Sequence, residues 1–155
     1  MIDKVNSFLV MPRIIIIYWA GFWLLNGLDK FLFRTEMCIF TWYGKDRTEQ
    51  FSNYFAQSDI PPVWISPLLN TIGIWEVLIS VPLCYAAWQY KPRFTLCRDY
   101  FNLGMNLGAL TFLAFSMGDI VIGDRAELLE HGTYFILVLI SFWYVNQSLG
   151  EAASK

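Results

Sequence analysis

The segment IIIIYWAGFWLLNGLDKFLF, Ile14 to Phe33, indicates the class of the whole chain. It opens with twelve apolar or small residues, reaches Asn26, Asp29 and Lys30, and then becomes apolar again. A helix needs about 20 mainly apolar residues to cross the hydrocarbon core of a bilayer. The segment therefore predicts a membrane-spanning helix that carries polar side chains near one end.

The composition of the whole chain supports the same interpretation. Hydrophobic residues make up 56% of the 155 residues, and charged residues only 15%, whereas soluble domains carry about 25% charged residues. A soluble chain with so little charge would not have enough polar side chains to cover its surface. The alternative is a soluble helical protein in which the apolar residues form an unusually large core. The net charge of −2 gives no basic field for nucleic acid.

Three more apolar segments follow the first, each close to the length of a membrane span. We predict an all-α fold, an integral membrane four-helix bundle that forms a single transmembrane domain over residues 1–155. We expect the first span to be uncleaved, since no small-residue cleavage site of a secretory signal follows it. The predicted spans are about 14–33, 67–88, 100–121 and 126–146.

The orientation follows from the cations near the span ends, because cytoplasmic loops carry an excess of Lys and Arg. The N-terminus and the connection between the second and third spans are the basic regions. We therefore expect both termini in the cytoplasm, with the chain in a bacterial inner membrane and the loop 34–65 outside. The cations that carry this prediction are Lys4, Arg13, Lys91, Arg93 and Arg98.

The loop 34–65 is too long for a simple turn between bundle helices. Within it, Phe51, Tyr54 and Phe55 have the i, i+3, i+4 spacing of a short amphipathic helix. This apolar face could lie on the membrane surface or against a partner, or it could pack over the chain's own helices. The sequence leaves these alternatives open.

Glu76 is the polar residue that most needs an explanation. It lies about 15 Å below the outer start of the second span, at 1.5 Å per residue. An ionised carboxylate at that depth costs about 2.5 kcal/mol or more, so Glu76 should be protonated or face a partner. Depths estimated in the same way favour Asn26 as that partner over Lys30. They also place Asp29 and Lys30 near the outer boundary, where water can solvate them.

A second group of titratable residues gathers at the predicted outer end of the third and fourth spans. Its functional interpretation is a proton relay or a quinone headgroup site built from histidine and carboxylates. Its structural interpretation is a set of solvated helix ends and caps, which we prefer for Asp124, Glu127 and Glu130. Over the whole chain, the candidate quinone or proton site comprises Glu76, Asn26, Lys30, Asp29, His131 and Asp119.

The predicted inner half of the third span carries a packing pattern rather than a site. Asn102 and Asn106 share one helical face, and Gly104 and Gly108 have the spacing of small residues that allow helices to approach closely. We predict helix packing with amide hydrogen bonds across it.

The sequence predicts no metal site. It contains one histidine and three cysteines, without the spacing of zinc ligands or of a redox pair. We also expect no covalently bound cofactor, which leaves a quinone as the candidate cofactor and structural lipids as companions of the spans.

Two of these segments resemble the DoxX family of small four-helix bacterial membrane proteins. The similarity lies in GFWLLNGLDKF (21–31) and IGIWEVLISVPL (72–83), and in the length and order of the last two spans. The resemblance implies a role beside larger membrane partners, as in the quinone-coupled subunit of thiosulfate oxidation and in membrane complexes of redox stress. Gly27, Lys30 and Glu76 are the positions that it carries over.

Two functions follow as expectations, and neither makes the chain an enzyme by itself. The first is a non-catalytic accessory or assembly subunit of a larger inner-membrane complex for electron transport. The alternative is a quinone-interacting oxidoreductase subunit with Glu76 in a headgroup or proton site. A transporter built by oligomerisation is a third and weaker interpretation, because four spans show no inverted repeat of broken helices. The expected partners are lipids and either a larger membrane protein or further copies of the chain.

Overall fold

A computed structural model describes residues 10–90 and 94–153. Lys4, Lys91 and Arg93, on which the predicted orientation depends, lie outside the described residues. The elements in chain order are α1 (Met11–Leu32), β1 (Thr35–Glu36), β2 (Thr41–Trp42), α2 (Arg47–Gln57), a 3₁₀ turn (Pro62–Trp64), α3 (Ile65–Gln89), α4 (Phe94–Ile122) and α5 (Arg125–Ala153).

Four of these helices, α1, α3, α4 and α5, are long and apolar enough to cross a membrane. The prediction of a helical chain with four such segments is therefore confirmed. The helices extend beyond the predicted spans, most of all α4, which begins at Phe94, and α5, which continues to Ala153. The apolar runs predict only the part of a helix that would lie in hydrocarbon, and the backbone hydrogen bonds of a helix continue through the polar residues on either side.

The described chain divides into two compact units. One, here called the loop unit, is Phe22–Leu78. It contains the C-terminal half of α1, the β-hairpin, α2 and the first half of α3. The other, here called the terminal unit, consists of the described residues on either side of the loop unit.

In the loop unit, α1 and α3 approach closely at two glycines. A Cβ atom on Gly27 would lie 2.7 Å from Val77 Cγ2 and 2.8 Å from the carbonyl oxygen of Gly73. These distances are too short for a side chain, so glycine at this position permits the backbone contact. Gly27 is therefore level with residues 73–77 of α3.

The helix α2 packs on the chain's own α3. Asp46 caps its N-terminus by accepting a hydrogen bond from the backbone N–H of Thr48 at 2.9 Å. Its predicted apolar face contributes to a cluster that joins α2 to the first turns of α3. Packing on the chain's own helices, one of the alternatives that the sequence left open, is therefore present. The cluster consists of the buried Phe55, Ile65 and Leu69, with the partly buried Phe51 and Tyr54 packed against them.

In the terminal unit, a tight turn connects α4 to α5. Gly123 has a φ of +86°, which suits glycine at the end of a helix, and its N–H donates to the Asp119 carbonyl at 2.8 Å. Asp124 then caps α5, because its Oδ1 accepts from the backbone N–H groups of Ala126 and Glu127 at 3.0 Å each. The predicted capping role of Asp124 is confirmed.

Candidate functional site

Glu76 and Lys30 form an ion pair within the loop unit. Lys30 Nζ lies 2.5 Å from Glu76 Oε2, and the two side chains are only 12% and 5% exposed. Lys30 also donates to the backbone carbonyl of Asn26 at 3.3 Å. The carboxylate in the middle of α3 is thus neutralised by a cation from the last turn of α1.

The predicted pairing of Asn26 with Glu76 is wrong. The Asn26 side-chain amide donates instead to the carbonyl of Phe22 in its own helix, at 2.8 Å. Asn26 contributes to the pair only through its backbone carbonyl, which accepts from Lys30.

The depth estimate failed because it compared backbone levels only. Since Gly27 is level with residues 73–77, the Glu76 backbone is level with about residue 26, and Lys30 lies about 6 Å nearer the C-terminal end of α1 at 1.5 Å per residue. The Lys30 side chain covers this difference, because its Nζ reaches back to the carbonyl of Asn26. Side chains lean toward the N-terminus of their own helix. In this antiparallel pair, Lys30 and Glu76 consequently lean toward each other.

Asp29 accepts hydrogen bonds from two other residues of the loop unit. The expectation that water alone would solvate its carboxylate is therefore also wrong. Its Oδ1 accepts a hydrogen bond from Trp42 Nε1 at 2.6 Å, and its Oδ2 accepts from the backbone N–H of Lys45 at 3.0 Å. Asp29 thereby holds the end of the β-hairpin against α1.

Charges of both signs act on Glu76. Lys30 and Arg47 act on the carboxylate as cations, and Asp29 acts on it as an anion. Arg47 is the first residue of α2 and its Nη1 donates to Gln50 Oε1 at 2.8 Å. Among these charged groups, Lys30 is in direct contact with the carboxylate.

In the terminal unit, His131 lies between two carboxylates. Its Nδ1 is 2.7 Å from Asp119 Oδ2, and its Nε2 is 3.9 Å from Glu127 Oε2. The rings of Phe115 and Phe112 lie beside the imidazole, with centroids 5.1 and 6.2 Å away. The predicted proximity of His131 and Asp119 is present, and the short connection between α4 and α5 is its cause.

The other acidic residues near His131 differ in their surroundings. Glu127 is buried and faces the imidazole, so the solvated role that we preferred for it is wrong. Glu130 is exposed, as that interpretation predicts. The difference follows from the helical period, because Glu127 is one turn from His131 on the same face of α5.

The predicted packing residues of α4 lie in the terminal unit. Asn102 Oδ1 accepts from Asn146 Nδ2 at 2.7 Å, and Arg98 Nε donates to Asn146 Oδ1 at 2.9 Å. A Cβ on Gly104 would lie 2.5 Å from Leu83 Cγ, so α4 approaches α3 closely at that glycine.

The remaining two members of the packing pattern have different surroundings. Gly108 is buried, as close packing requires, whereas Asn106 is exposed. Of the two asparagines in the predicted pattern, Asn102 therefore joins α4 to α5 through its amide, and Asn106 does not lie in the packed face.

Sequence reasoning missed two groups with clear roles. Asn146 lies at the very end of a predicted span, where its amide could have been recognised as a partner for Asn102. Trp42 gave no signal, because its role depends on the fold of the loop. Among the described residues, no group of His, Cys, Asp and Glu could hold a metal ion.

Comparison of the sequence with models of known protein families finds no match. Comparisons with curated proteins and with solved structures find no match either.

Proposed function

We propose that this chain is a multi-pass protein of the bacterial inner membrane and a non-catalytic accessory or assembly subunit of a larger redox complex. Its four long apolar helices support the membrane location. Many of their large apolar side chains are exposed, among them Val121 and Leu129. Exposed apolar surface of this extent needs lipid or protein to cover it. In this proposal the four helices form a bundle with both termini in the cytoplasm.

The ion pair between Lys30 and Glu76 is the observation that carries the accessory role. A carboxylate within an apolar helix is a candidate for proton or quinone chemistry. Here its charge is matched by Lys30 at 2.5 Å, beside the close contact of Gly27 with α3. The pair therefore has a sufficient structural purpose, which is to join α1 to α3 in one register.

A quinone-interacting subunit is the second candidate, and the surroundings of His131 favour it. An imidazole held by Asp119 can exchange protons, and the rings of Phe112 and Phe115 beside it offer faces on which an aromatic headgroup could stack. The resemblance to the DoxX family supports both candidates, since that family includes a quinone-coupled subunit as well as proteins found beside larger partners.

The test is to purify the tagged full chain from its native membranes in mild detergent and to identify the proteins that accompany it in fixed proportion. An accessory role predicts a larger membrane complex whose amount falls when the chain is deleted. Each molecule of complex that still assembles without the chain should have the same turnover as the parent complex. Purification of the chain without any protein in fixed proportion would contradict the proposal.

Variants at His131 separate the two candidates. In a quinone subunit, His131→Phe lowers quinol-linked turnover and leaves the amount of assembled complex unchanged. In an accessory subunit, turnover per assembled complex does not change.

A further inference from the structure

The hairpin formed by β1 and β2 has an apolar tip that no other described element covers. The strands pair Thr35 with Trp42 and Glu36 with Thr41, and the N–H of Met37 closes the turn by donating to the Phe40 carbonyl at 2.8 Å. Ile39 is 91% exposed, Tyr43 80% and Phe40 52%. So large an exposed apolar group on so small an element points to an interaction surface.

The hairpin is fastened to the end of α1 rather than left free. Isolated two-stranded hairpins are marginally stable, and this one has strands of only two residues. Asp29 supplies an external support, because its carboxylate accepts from Trp42 Nε1 and from the backbone N–H of Lys45. A third link joins the backbone N–H of Arg34 to the Tyr43 carbonyl at 3.3 Å.

This fastening sets the position of the hairpin relative to the proposed membrane. Asp29 lies three residues before Leu32, the last residue of α1, which is about 5 Å along the helix axis. Phe31, in the same turn, is exposed. Exposed apolar surface thus extends to the last turn of α1, and the hairpin follows directly in the chain, at the depth where a span in the proposed membrane reaches the lipid headgroups.

We propose that the hairpin tip, Met37–Phe40 with Tyr43, inserts into the interfacial layer of the bilayer at the C-terminal end of α1. The inference rests on the proposed membrane location of the chain. Apolar and aromatic side chains are favoured in this layer, and the charged groups at the base, Arg34 and Lys45, remain with the headgroups. Asp29 then has a defined purpose, because it holds an anchor at the boundary of the span.

The exposed Cys38 at the tip allows a direct measurement. The full chain with Cys84→Ser and Cys97→Ala carries a single thiol, which takes a nitroxide spin label. The protein is reconstituted into vesicles of phosphatidylethanolamine and phosphatidylglycerol, and its resistance to alkaline carbonate extraction is measured separately. Oxygen, which concentrates in lipid, and a water-soluble nickel chelate then compete to relax the label. A control with Cys38→Ser and Ser58→Cys places the label on the exposed residue after α2.

We expect relaxation by oxygen relative to the chelate to be several-fold greater at Cys38 than at the Ser58→Cys control. Equal access of the chelate to both labels overturns the inference. Shielding of the Cys38 label from both reagents also overturns it, since a protein would then cover the tip. Loss of the chain on carbonate extraction overturns the membrane location itself, and the inference with it.

Asp29→Ala tests the fastening. Without the carboxylate, the label at Cys38 should become more mobile, and its relaxation by oxygen should fall. Glu36→Gln, an exposed change within the hairpin, should alter neither quantity. Unchanged mobility in Asp29→Ala contradicts the role of Asp29 as the support of the anchor.

Discussion

Lys30 Nζ lies 2.5 Å from Glu76 Oε2, so the last turn of α1 neutralises a carboxylate in the middle of α3. Removing one member of a buried ion pair leaves an uncompensated charge or an unused cavity, whereas removing both members is often nearly neutral. The stability of variants at these two positions therefore reports whether the pair acts as a unit.

Lys30→Met should lower the free energy of unfolding by about 3–5 kcal/mol, because Glu76 would lose its cation in an apolar environment. Glu76→Gln should be destabilising for the corresponding reason. The double variant should be more stable than the sum of the two single losses predicts. Unfolding in mixed detergent micelles measures all four proteins, and strictly additive losses would contradict a direct interaction.

Gly27→Ala should destabilise the chain by about 1–3 kcal/mol, because the added methyl would overlap Val77 and the backbone of Gly73. Gly21→Ala is the matched control on the same helix, since a Cβ there meets nothing within 4 Å. It should be neutral or stabilise the helix by up to about 1 kcal/mol. Equal effects of the two substitutions would argue against a close contact between α1 and α3.

Asn102→Leu should lower the free energy of unfolding by between about 0.6 and 1.7 kcal/mol, which are the mean and the maximum for hydrogen bonds between membrane helices, because Asn146 loses its acceptor. Asn106→Leu makes the same chemical change one turn away, at an exposed position. It should leave the unfolding free energy within about 0.5 kcal/mol of the parent. A larger loss at Asn106 than at Asn102 would reverse the assignment of the packing face.

Asp119→Asn should lower the free energy of unfolding by about 1 kcal/mol, because an amide oxygen would replace the carboxylate as the partner of His131, and hydrogen bonds to charged groups are the stronger ones. Glu130→Gln removes a carboxylate from the exposed side of α5 and should have little effect. Thermal unfolding in detergent compares the two, and equal losses would exclude a specific Asp119–His131 contact.

The sequence predicted the helical segments well, because long apolar runs report directly on helices of membrane length. It also placed Asp124 at a helix cap and Asn102 in an amide contact, since these roles depend on local spacing. The partner of Glu76 could not be predicted in this way. It depends on the long Lys30 side chain, which reaches back one turn along α1, and a comparison of backbone levels does not include that reach.

The role of Asp29 was equally hidden. Its partners, Trp42 and Lys45, belong to a loop whose path has no simple sequence pattern. The two neighbouring charged residues of the first apolar segment, Asp29 and Lys30, therefore contact different elements. Lys30 joins α1 to α3, and Asp29 holds the hairpin.

The structural role of Glu76 is tested most directly by turnover and assembly of the native complex with the double variant Lys30→Met, Glu76→Gln. If the chain is an accessory subunit, this variant should restore the amount of complex lost in either single variant, with turnover per assembled complex equal to that of the parent. If assembly is restored but the assembled complex has lost its turnover, that role is contradicted. It would instead assign the Glu76 carboxylate to proton or quinone chemistry.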